Sequence, residues 1–156
     1  MRRQSGFTLI ELVIVIVVLG ILAALAIPRF ISLQREARIA VIDSLFNSVR
    51  SGANITYAKS AAEGESDLAS AAVDIDGSGP LGAIGTNFGY PQATSAAMNL
   101  LFDNLSPRYA FSGGGTAGGA APLTMNIDGI ATCAITYQSP AAAGATPAIT
   151  RVVTGC

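Results

Sequence analysis

Apolar residues fill the beginning of the chain almost without interruption. The run from Phe7 to Ile27 contains 21 residues, and Glu11 is the only ionisable one among them. As an α-helix this run is roughly 31 Å long, close to the ~30 Å hydrocarbon thickness of a bilayer. The pattern therefore predicts a membrane-length helix. A carboxylate near its start is costly to keep, which indicates that it has a function.

Beyond Pro28 the apolar positions recur every three or four residues, which is the period of an amphipathic helix. Together with the first run they predict one long helix from Phe7 to about Ser60, kinked or unwound at Pro28. Two stripes carry the period: Phe30, Leu33, Ala37, Val41 and Leu45 form one, and Ile42, Phe46, Val49, Ala53 and Tyr57 form the other. The second half of this helix therefore needs a sheet to cover its apolar face.

Residues 61–156 predict a small head built on an antiparallel β-sheet, so the expected fold class is α+β. Asp128-Gly129 lies between two apolar segments and is a strong hairpin signal. The predicted strands are 108–112, 123–127, 130–137 and 147–154, the predicted short helix is 92–104, and long connections are predicted at 60–87 and at 112–121. The last connection contains five glycines and is expected to be flexible.

The two cysteines, Cys133 and Cys156, are separated by 22 residues. In an exported domain such a pair predicts one disulfide. Closing a loop of this size would stabilise the head by about 3 kcal/mol on the chain-entropy account.

Two hypotheses for export compete. Arg2 and Arg3 precede the apolar run, and basic residues favour the cytoplasmic side, so the rest of the chain is expected to be exported. An ordinary secretory signal would be cut at Ala24-Leu25-Ala26, which fits the small-residue pattern. Against it stand Glu11 and the length of the apolar run, which exceeds the usual stretch of roughly 7–15 residues.

The first 28 residues, MRRQSGFTLIELVIVIVVLGILAALAIP, resemble the class III signal of the type IV pilin family. The resemblance rests on the short basic leader, on Gly6 and Phe7, and on Pro28. It also rests on Glu11, which is the fifth residue of the chain that follows Gly6. It implies that a prepilin peptidase cuts between Gly6 and Phe7 and that the new amine on Phe7 is methylated. It also implies storage in the inner membrane and assembly by pilus machinery into an extracellular pilus on the bacterial surface.

The resemblance divides the chain into a cleaved leader (residues 1–6), a helical stem (7–60) and a globular head (61–156). Residues 7–27 of the stem would span the membrane and later form the filament core. Phe7, Glu11 and Pro28 are the candidate assembly residues. A Glu11 carboxylate about 4 Å from the Phe7 amine of a neighbouring copy would attract it by about 4 kcal/mol at an effective dielectric near 20, before desolvation. The alternative is a lone acid that reaches the lipid headgroups.

Charge divides the chain in a way that suits self-association. Residues 29–59 carry a net charge of +3, and residues 60–156 carry −5. A basic stem beside an acidic head fits contacts between copies, although ordinary solvated charges would give the same count. The head has no basic stripe, so no nucleic-acid partner is expected.

Other chemistry is weakly represented. The chain has no histidine, and we expect neither an enzyme nor a cofactor. Asp74, Asp76 and Ser78 resemble the opening of a calcium loop, but the closing glutamate position is occupied by Gly85, so a polar turn is the favoured interpretation and no metal is expected.

The second half is similar to pilins of the mannose-sensitive haemagglutinin type. The shared features are Tyr57-Ala58-Lys59, Gly89-Tyr90-Pro91, the stretch CAITY that starts at Cys133, and the terminal Thr154-Gly155-Cys156. This resemblance implies a structural subunit used for adhesion and surface attachment, with an unidentified surface receptor. Two alternatives stay open: a pseudopilin of a type II secretion system, and a membrane-anchored binding module that never polymerises.

Overall fold

The computed structural model describes residues 6–75, 77, 79, 82–102, 105 and 107–156. The expected α+β class is confirmed, because one long N-terminal helix precedes small antiparallel sheets. The elements are α1 (Leu9–Glu63), β1 (Ala71–Val73), β2 (Ile84–Asn87), β3 (Tyr90–Pro91), α2 (Ser95–Leu101), β4 (Tyr109–Gly113), β5 (Leu123–Ile127), β6 (Ala134–Gln138) and β7 (Ala148–Val152). The fold divides into two compact units between Ala37 and Arg38.

The first unit contains the apolar half of α1. Its large apolar side chains between Phe7 and Ile27 are 42–90 % exposed. The helix has the length and composition of a membrane span. An apolar surface of this extent is stable only against lipid or against other apolar helices, because exposing it to water costs about 25 cal/mol per Å².

In the second unit, one face of α1 covers the four-stranded sheet, whose strand order is β4-β5-β6-β7. Ile42, Val49 and Ala53 from the second predicted stripe are buried there, and Leu45 joins them. The sheet contributes Leu123, Met125, Ile127, Ile135 and Tyr137 to the same core. The face predicted to need a sheet is therefore the face that packs on one.

A second, three-stranded sheet of order β1-β2-β3 occupies much of the predicted 60–87 connection. The prediction of a structureless loop there was wrong. These strands are only two to four residues long, and Ala71, Ala72 and Gly85 interrupt them with residues of low β-propensity, so the sequence signal is weak. Phe88 and Gly89 form the β2–β3 turn with φ values of 49° and 80°, the left-handed pair that a two-residue hairpin requires.

Aromatic side chains connect α1 to both sheets. The Tyr57 ring on α1 stacks on the Tyr90 ring of β3 with centroids 4.6 Å apart. The Tyr137 hydroxyl on β6 donates to the carbonyl oxygen of Pro91 at 2.8 Å. Tyr137 is fully buried, and that burial raises the pKa of its phenol. The two sheets are thus joined through one buried hydrogen bond.

Hydrogen bonds hold the glycine-rich segment 112–121 against the rest of the head. The Asn87 side-chain amide donates to Thr116 O at 2.8 Å and to Ser139 Oγ at 3.2 Å. Gln138 Nε2 donates to Ala120 O at 2.9 Å, and Gly115 N donates to Ala93 O at 2.9 Å. The segment expected to be flexible is therefore bonded to the rest of the head by two side-chain amides, those of Asn87 and Gln138, and by one backbone bond to Ala93.

The β5–β6 connection is longer than the two-residue hairpin predicted at Asp128-Gly129. Both residues have positive φ as expected, but β6 begins at Ala134 rather than at Ile130. Residues 130–133 instead form a further turn, in which Cys133 N donates to Ile130 O at 3.0 Å. This turn places Cys133 beside Cys156 with a Cα–Cα distance of 4.8 Å, and the two sulfurs are bonded.

Ion pairs fasten the C-terminal strands to α1. Arg38 Nε lies 3.3 Å from Asp128 Oδ2, and its Nη1 donates to Cys156 O at 3.4 Å. Arg151 on β7 pairs with Asp43 on α1. The disulfide and these pairs act on the same corner of the head, where β7 forms an exposed edge of the four-stranded sheet.

We expect Cys133→Ser to lower the free energy of unfolding of the head by roughly 2–5 kcal/mol, because the cross-link no longer restricts the unfolded chain. Fewer folded heads should reach the fibre, so surface fibre should fall. Urea unfolding of the detergent-solubilised chain measures the change, and reduced wild-type protein is the matched control. Quantitative thiol labelling of both cysteines in native, unreduced protein would contradict the bond.

Candidate assembly site at the start of α1

The start of α1 is organised by Thr8 and Glu11. Thr8 precedes the first helical residue, Leu9, and Glu11 lies three positions after Thr8. The Thr8 amide and hydroxyl both donate to Glu11 Oε2, at 2.9 and 2.8 Å, and the Glu11 amide donates to Thr8 Oγ1 at 3.3 Å. This reciprocal arrangement is a capping box, which satisfies amides that the first turn would leave unpaired.

The capping box sets the position of the carboxylate. Both bonds from Thr8 end on the same oxygen, Oε2, and a carboxylate has about four acceptor sites. The other oxygen, Oε1, is therefore available to a cation from outside the chain. The positive end of the helix dipole at this terminus also favours a negative charge here.

Gly6 and Phe7 lie before the helix, as does Thr8. No atom lies within 4 Å of the position that a Cβ on Gly6 would take, so local packing does not require glycine there. Phe7 is 90 % exposed. The peptide bond between Gly6 and Phe7 is therefore in an exposed, non-helical segment.

Pro28 lies inside α1, which continues on both sides of it. A proline has no amide hydrogen, so the carbonyl of residue 24 lacks its usual helical partner. The helix is therefore not unwound at Pro28 in the single chain, and a kink there, or unwinding in a packed filament, stays a prediction.

The remaining sequence candidates lie elsewhere. Cys133 and Cys156 meet in the head, as described above. The Asp74 carboxylate accepts from Gly77 N and Gly79 N, each at 2.8 Å, and so closes a polar turn. Asp76 and Ser78 lie outside the described residues. Within the part of the chain that the structure describes, no three acidic, cysteine or histidine side chains cluster as metal ligands would.

Three functional side chains escaped the sequence prediction. Thr8 could have been found, because Thr8-Leu9-Ile10-Glu11 fits the T-x-x-E signature of a capping box. Arg38 and Asn87 could not, because their partners are 29 to 118 residues distant in the sequence.

An exposed apolar helix of membrane length starts at a capping box formed with Glu11 and continues into a β-sheet head, which is the arrangement that the resemblance to pilins implies. The family model described as the prokaryotic N-terminal methylation motif matches residues 1–27. Together with the relatives that follow, this match confirms the resemblance to the type IV pilin family.

Curated relatives of two kinds match the chain. The type IV narrow pilus major component PilA5 of Thermus thermophilus is 55% identical over 49 residues, which are 31% of this chain and 42% of that protein. The type II secretion system core protein G of Pseudomonas aeruginosa is 55% identical over 40 residues, 26% of this chain and 28% of that protein. The type IV major pilin protein PilA of Myxococcus xanthus is 58% identical over 36 residues, 23% of this chain and 16% of that protein.

The matched segments thus span less than half the length of these relatives. No solved structure matches the chain significantly.

We expect Thr8→Val to loosen the first turn of α1, because it removes the hydroxyl that both caps the helix and holds Glu11. Loss of a cap costs about 1 kcal/mol, so the Glu11 amide, which bonds to the Thr8 hydroxyl, and the adjacent Leu12 amide should exchange about fivefold faster. Hydrogen exchange in detergent micelles, followed by NMR, measures the rate. Thr8→Ser keeps the hydroxyl and should exchange like the wild type, whereas equal protection in the valine variant would refute the role of the box.

Proposed function

We propose that this protein is a structural subunit that polymerises through α1 into an extracellular type IV pilus used for surface attachment. The observation that carries the proposal is the Glu11 carboxylate, fixed by Thr8 at the start of an otherwise apolar and exposed helix. The methylation motif over residues 1–27 supports it, since that motif marks a chain that is processed at its N-terminus.

The proposed assembly step pairs charges inside the filament. Cutting between Gly6 and Phe7 by a prepilin peptidase would free an amine on Phe7. In the membrane that amine and Glu11 lie near the surface, where water and headgroups solvate them. In the filament core the stems pack against one another, and an unpaired charge there would cost roughly 3–5 kcal/mol. The Phe7 amine of an incoming copy therefore has to meet the Oε1 side of Glu11 in a neighbour, which sets the axial register.

We assign Phe7, Glu11 and Pro28 to assembly, as the resemblance to the pilin family implies. Before assembly the chain would be held in the inner membrane by residues 7–27, with the leader 1–6 on the cytoplasmic side and the head 61–156 exported. After assembly by the pilus machinery, α1 would lie in the filament core and the head would form the outer surface.

A pilus is favoured over a secretion pseudopilus by two features of the head. Its C-terminus is closed by the Cys133–Cys156 disulfide. Its second half also shares the Gly89-Tyr90-Pro91 and Thr154-Gly155-Cys156 features of adhesive pilins noted above. The second candidate is a pseudopilus subunit, which the similarity to a type II secretion core protein favours.

We expect the mature chain to begin at Phe7 with a methylated amine. Intact-mass measurement of protein sheared from the cell surface tests this directly, and material from cells that lack the prepilin peptidase is the control. A chain that begins after Ala26, or one that retains Met1, would refute the proposed processing.

We expect Glu11→Ala to leave membrane insertion and cleavage intact but to abolish or sharply reduce surface fibre. The incoming amine on Phe7 would then be buried without its counter-charge. Glu11→Asp should give an intermediate amount, because it keeps the charge but shortens the reach. Immunoblots of membrane and sheared fractions measure both pools.

Two outcomes separate the alternatives for Glu11. Wild-type amounts of surface fibre from the alanine variant would refute the pairing and support a carboxylate that only reaches the headgroups. If the wild-type chain itself stays in the membrane fraction under all conditions, the non-polymerising anchored module is the correct function.

A further inference from the structure

Basic residues flank the apolar run of α1 on both sides. Arg2 and Arg3 precede it, and Arg29 and Arg35 follow it. The first pair is expected, because basic residues favour the cytoplasmic side of a span. The second pair lies on the side that is exported, where orientation gives no reason for a positive charge. Removal of the leader would leave the second pair alone beside the membrane, so a partner for it has to be found there.

Residues 28–37 continue α1 directly beyond the apolar run, and we call them the interfacial segment. They belong to the first compact unit. Phe30 is 67 % exposed and Leu33 is 58 % exposed. Arg35 is exposed as well, and it takes part in none of the ion pairs that the described residues form. Two large apolar side chains and one unpaired cation thus lie within two turns of the helix.

The sequence around Arg35 offers its guanidinium no acidic partner on the same helix. Glu36 is adjacent, and neighbouring positions on a helix do not face each other. Positions 31, 32, 38 and 39, which do lie at helical spacing from Arg35, contain no acid. Lys59 on the same helix shows the contrast, because it pairs with Glu63 one turn later at 2.8 Å. The complement of Arg35 is therefore an anion from outside the helix.

The rise of the helix sets the depth of these side chains when residues 7–27 span the bilayer. Phe30 then lies about 4.5 Å beyond Ile27 along the axis, and Arg35 about 12 Å beyond it. The headgroup layer on each side is roughly 5–8 Å thick. Helical side chains lean towards the N-terminus, which is the membrane side here. The long Arg35 side chain therefore reaches back into the headgroup layer, at the level of the lipid phosphates.

We propose that the interfacial segment docks on phospholipid headgroups of the exported leaflet, with the Arg35 guanidinium bound to lipid phosphate. Phe30 and Leu33 would be covered by the surrounding lipid, as apolar side chains of interfacial helices are. The planar fork of guanidinium donors matches the oxygens of a phosphate. This inference rests on the proposed function, because it requires that residues 7–27 span the membrane before assembly.

The lipid contact would fix the depth of the stem while the subunit is stored. A cation held at the exported phosphates opposes sinking of the helix, and the apolar run opposes its withdrawal. Glu11 and the Phe7 amine would therefore stay at the opposite headgroup layer, where both are solvated. The segment would thus hold the assembly site in a state from which a growing filament can recruit it.

Quenching of a label on the interfacial segment tests the contact. The full chain with Gln34→Cys is labelled with a fluorophore and placed in nanodiscs of phosphatidylglycerol that contain a headgroup nitroxide lipid. The Cys133–Cys156 disulfide keeps both native sulfurs out of the labelling reaction. The ratio of quenched to unquenched label, read from two fluorescence lifetimes, should fall about fivefold when Arg35→Gln is added.

Two further variants and one lipid change sharpen this measurement. Arg50→Gln is the matched control, because Arg50 is another exposed arginine of α1 but lies in the second unit, and it should leave the ratio unchanged. Arg35→Lys keeps the charge and should retain most of the quenching. Nanodiscs of phosphatidylcholine should lower the ratio for the wild-type segment more than for Arg35→Gln, because the net negative charge of the lipid is then absent.

The outcomes separate this inference from the proposed function. Equal quenching with and without Arg35→Gln would overturn the lipid contact and leave a pilus subunit in place. If quenching is equal and Arg35→Gln nevertheless lowers sheared surface fibre, Arg35 acts between copies in the filament and the lipid contact is refuted. A label at Val18→Cys that acyl-chain nitroxides do not quench would show that the helix does not span the bilayer. Storage in the membrane, on which the proposed function depends, would then fail together with this inference.

Discussion

The carboxylate of Glu11 in an apolar helix is the constraint on which the rest of the molecule depends. In a single chain this carboxylate is exposed, and Thr8 is its hydrogen-bond partner. Thr8 satisfies one carboxylate oxygen and completes the helix start, but it is neutral and cannot neutralise the charge. In the membrane, water and headgroups would solvate the carboxylate. In the proposed filament core, where an unpaired charge is costly, the Phe7 amine of another copy would neutralise it.

The construction of the head follows from what the stem must do. An apolar half-helix that is fully exposed has to be joined to a domain that stays soluble, and α1 achieves this by changing from an apolar helix to an amphipathic one. Ile42, Val49 and Ala53 close the core of the second unit, while Arg38 and Asp43 on the same helix pair with the C-terminal strands. The Cys133–Cys156 disulfide adds a covalent link at the C-terminal end of the sheet. The last strand and the residues after it are therefore held by an ion pair, a side-chain hydrogen bond and the disulfide, as well as by their backbone bonds.

The sequence predicted the elements whose signals are local and failed where the determinants are distant. The long helix, its buried face, the class of fold and the cysteine pairing all follow from periodicity or from simple counts. The three-stranded sheet did not, because its strands are only two to four residues long and are ordered by partners on other strands. The segment 112–121 was expected to be flexible because glycine-rich stretches lack local structure. In the structure, Asn87 and Gln138 from other parts of the head donate hydrogen bonds to the backbone of this segment. The Phe88 turn belongs to the same group, since a large aromatic residue at positive φ is disfavoured locally and is retained by its tertiary contacts. At the candidate site the importance of Glu11 could be predicted from the sequence. Which of its two carboxylate oxygens bonds to Thr8 could be seen only in the structure.

The division between a stem with a recognisable motif and a head without a close structural match has a physical cause. The family model matches residues 1–27, and the relatives that the chain resembles include both pilus and secretion-system proteins. Under the proposed function, either kind of filament would bury an amine and a carboxylate in a packed apolar core, so the chemistry of the first helical turn would be strongly restricted. The outer surface of a filament would carry no such restriction, because loops and charges there can vary as long as neighbouring heads still fit. Features of the head such as the disulfide loop are therefore where one kind of filament would differ from another.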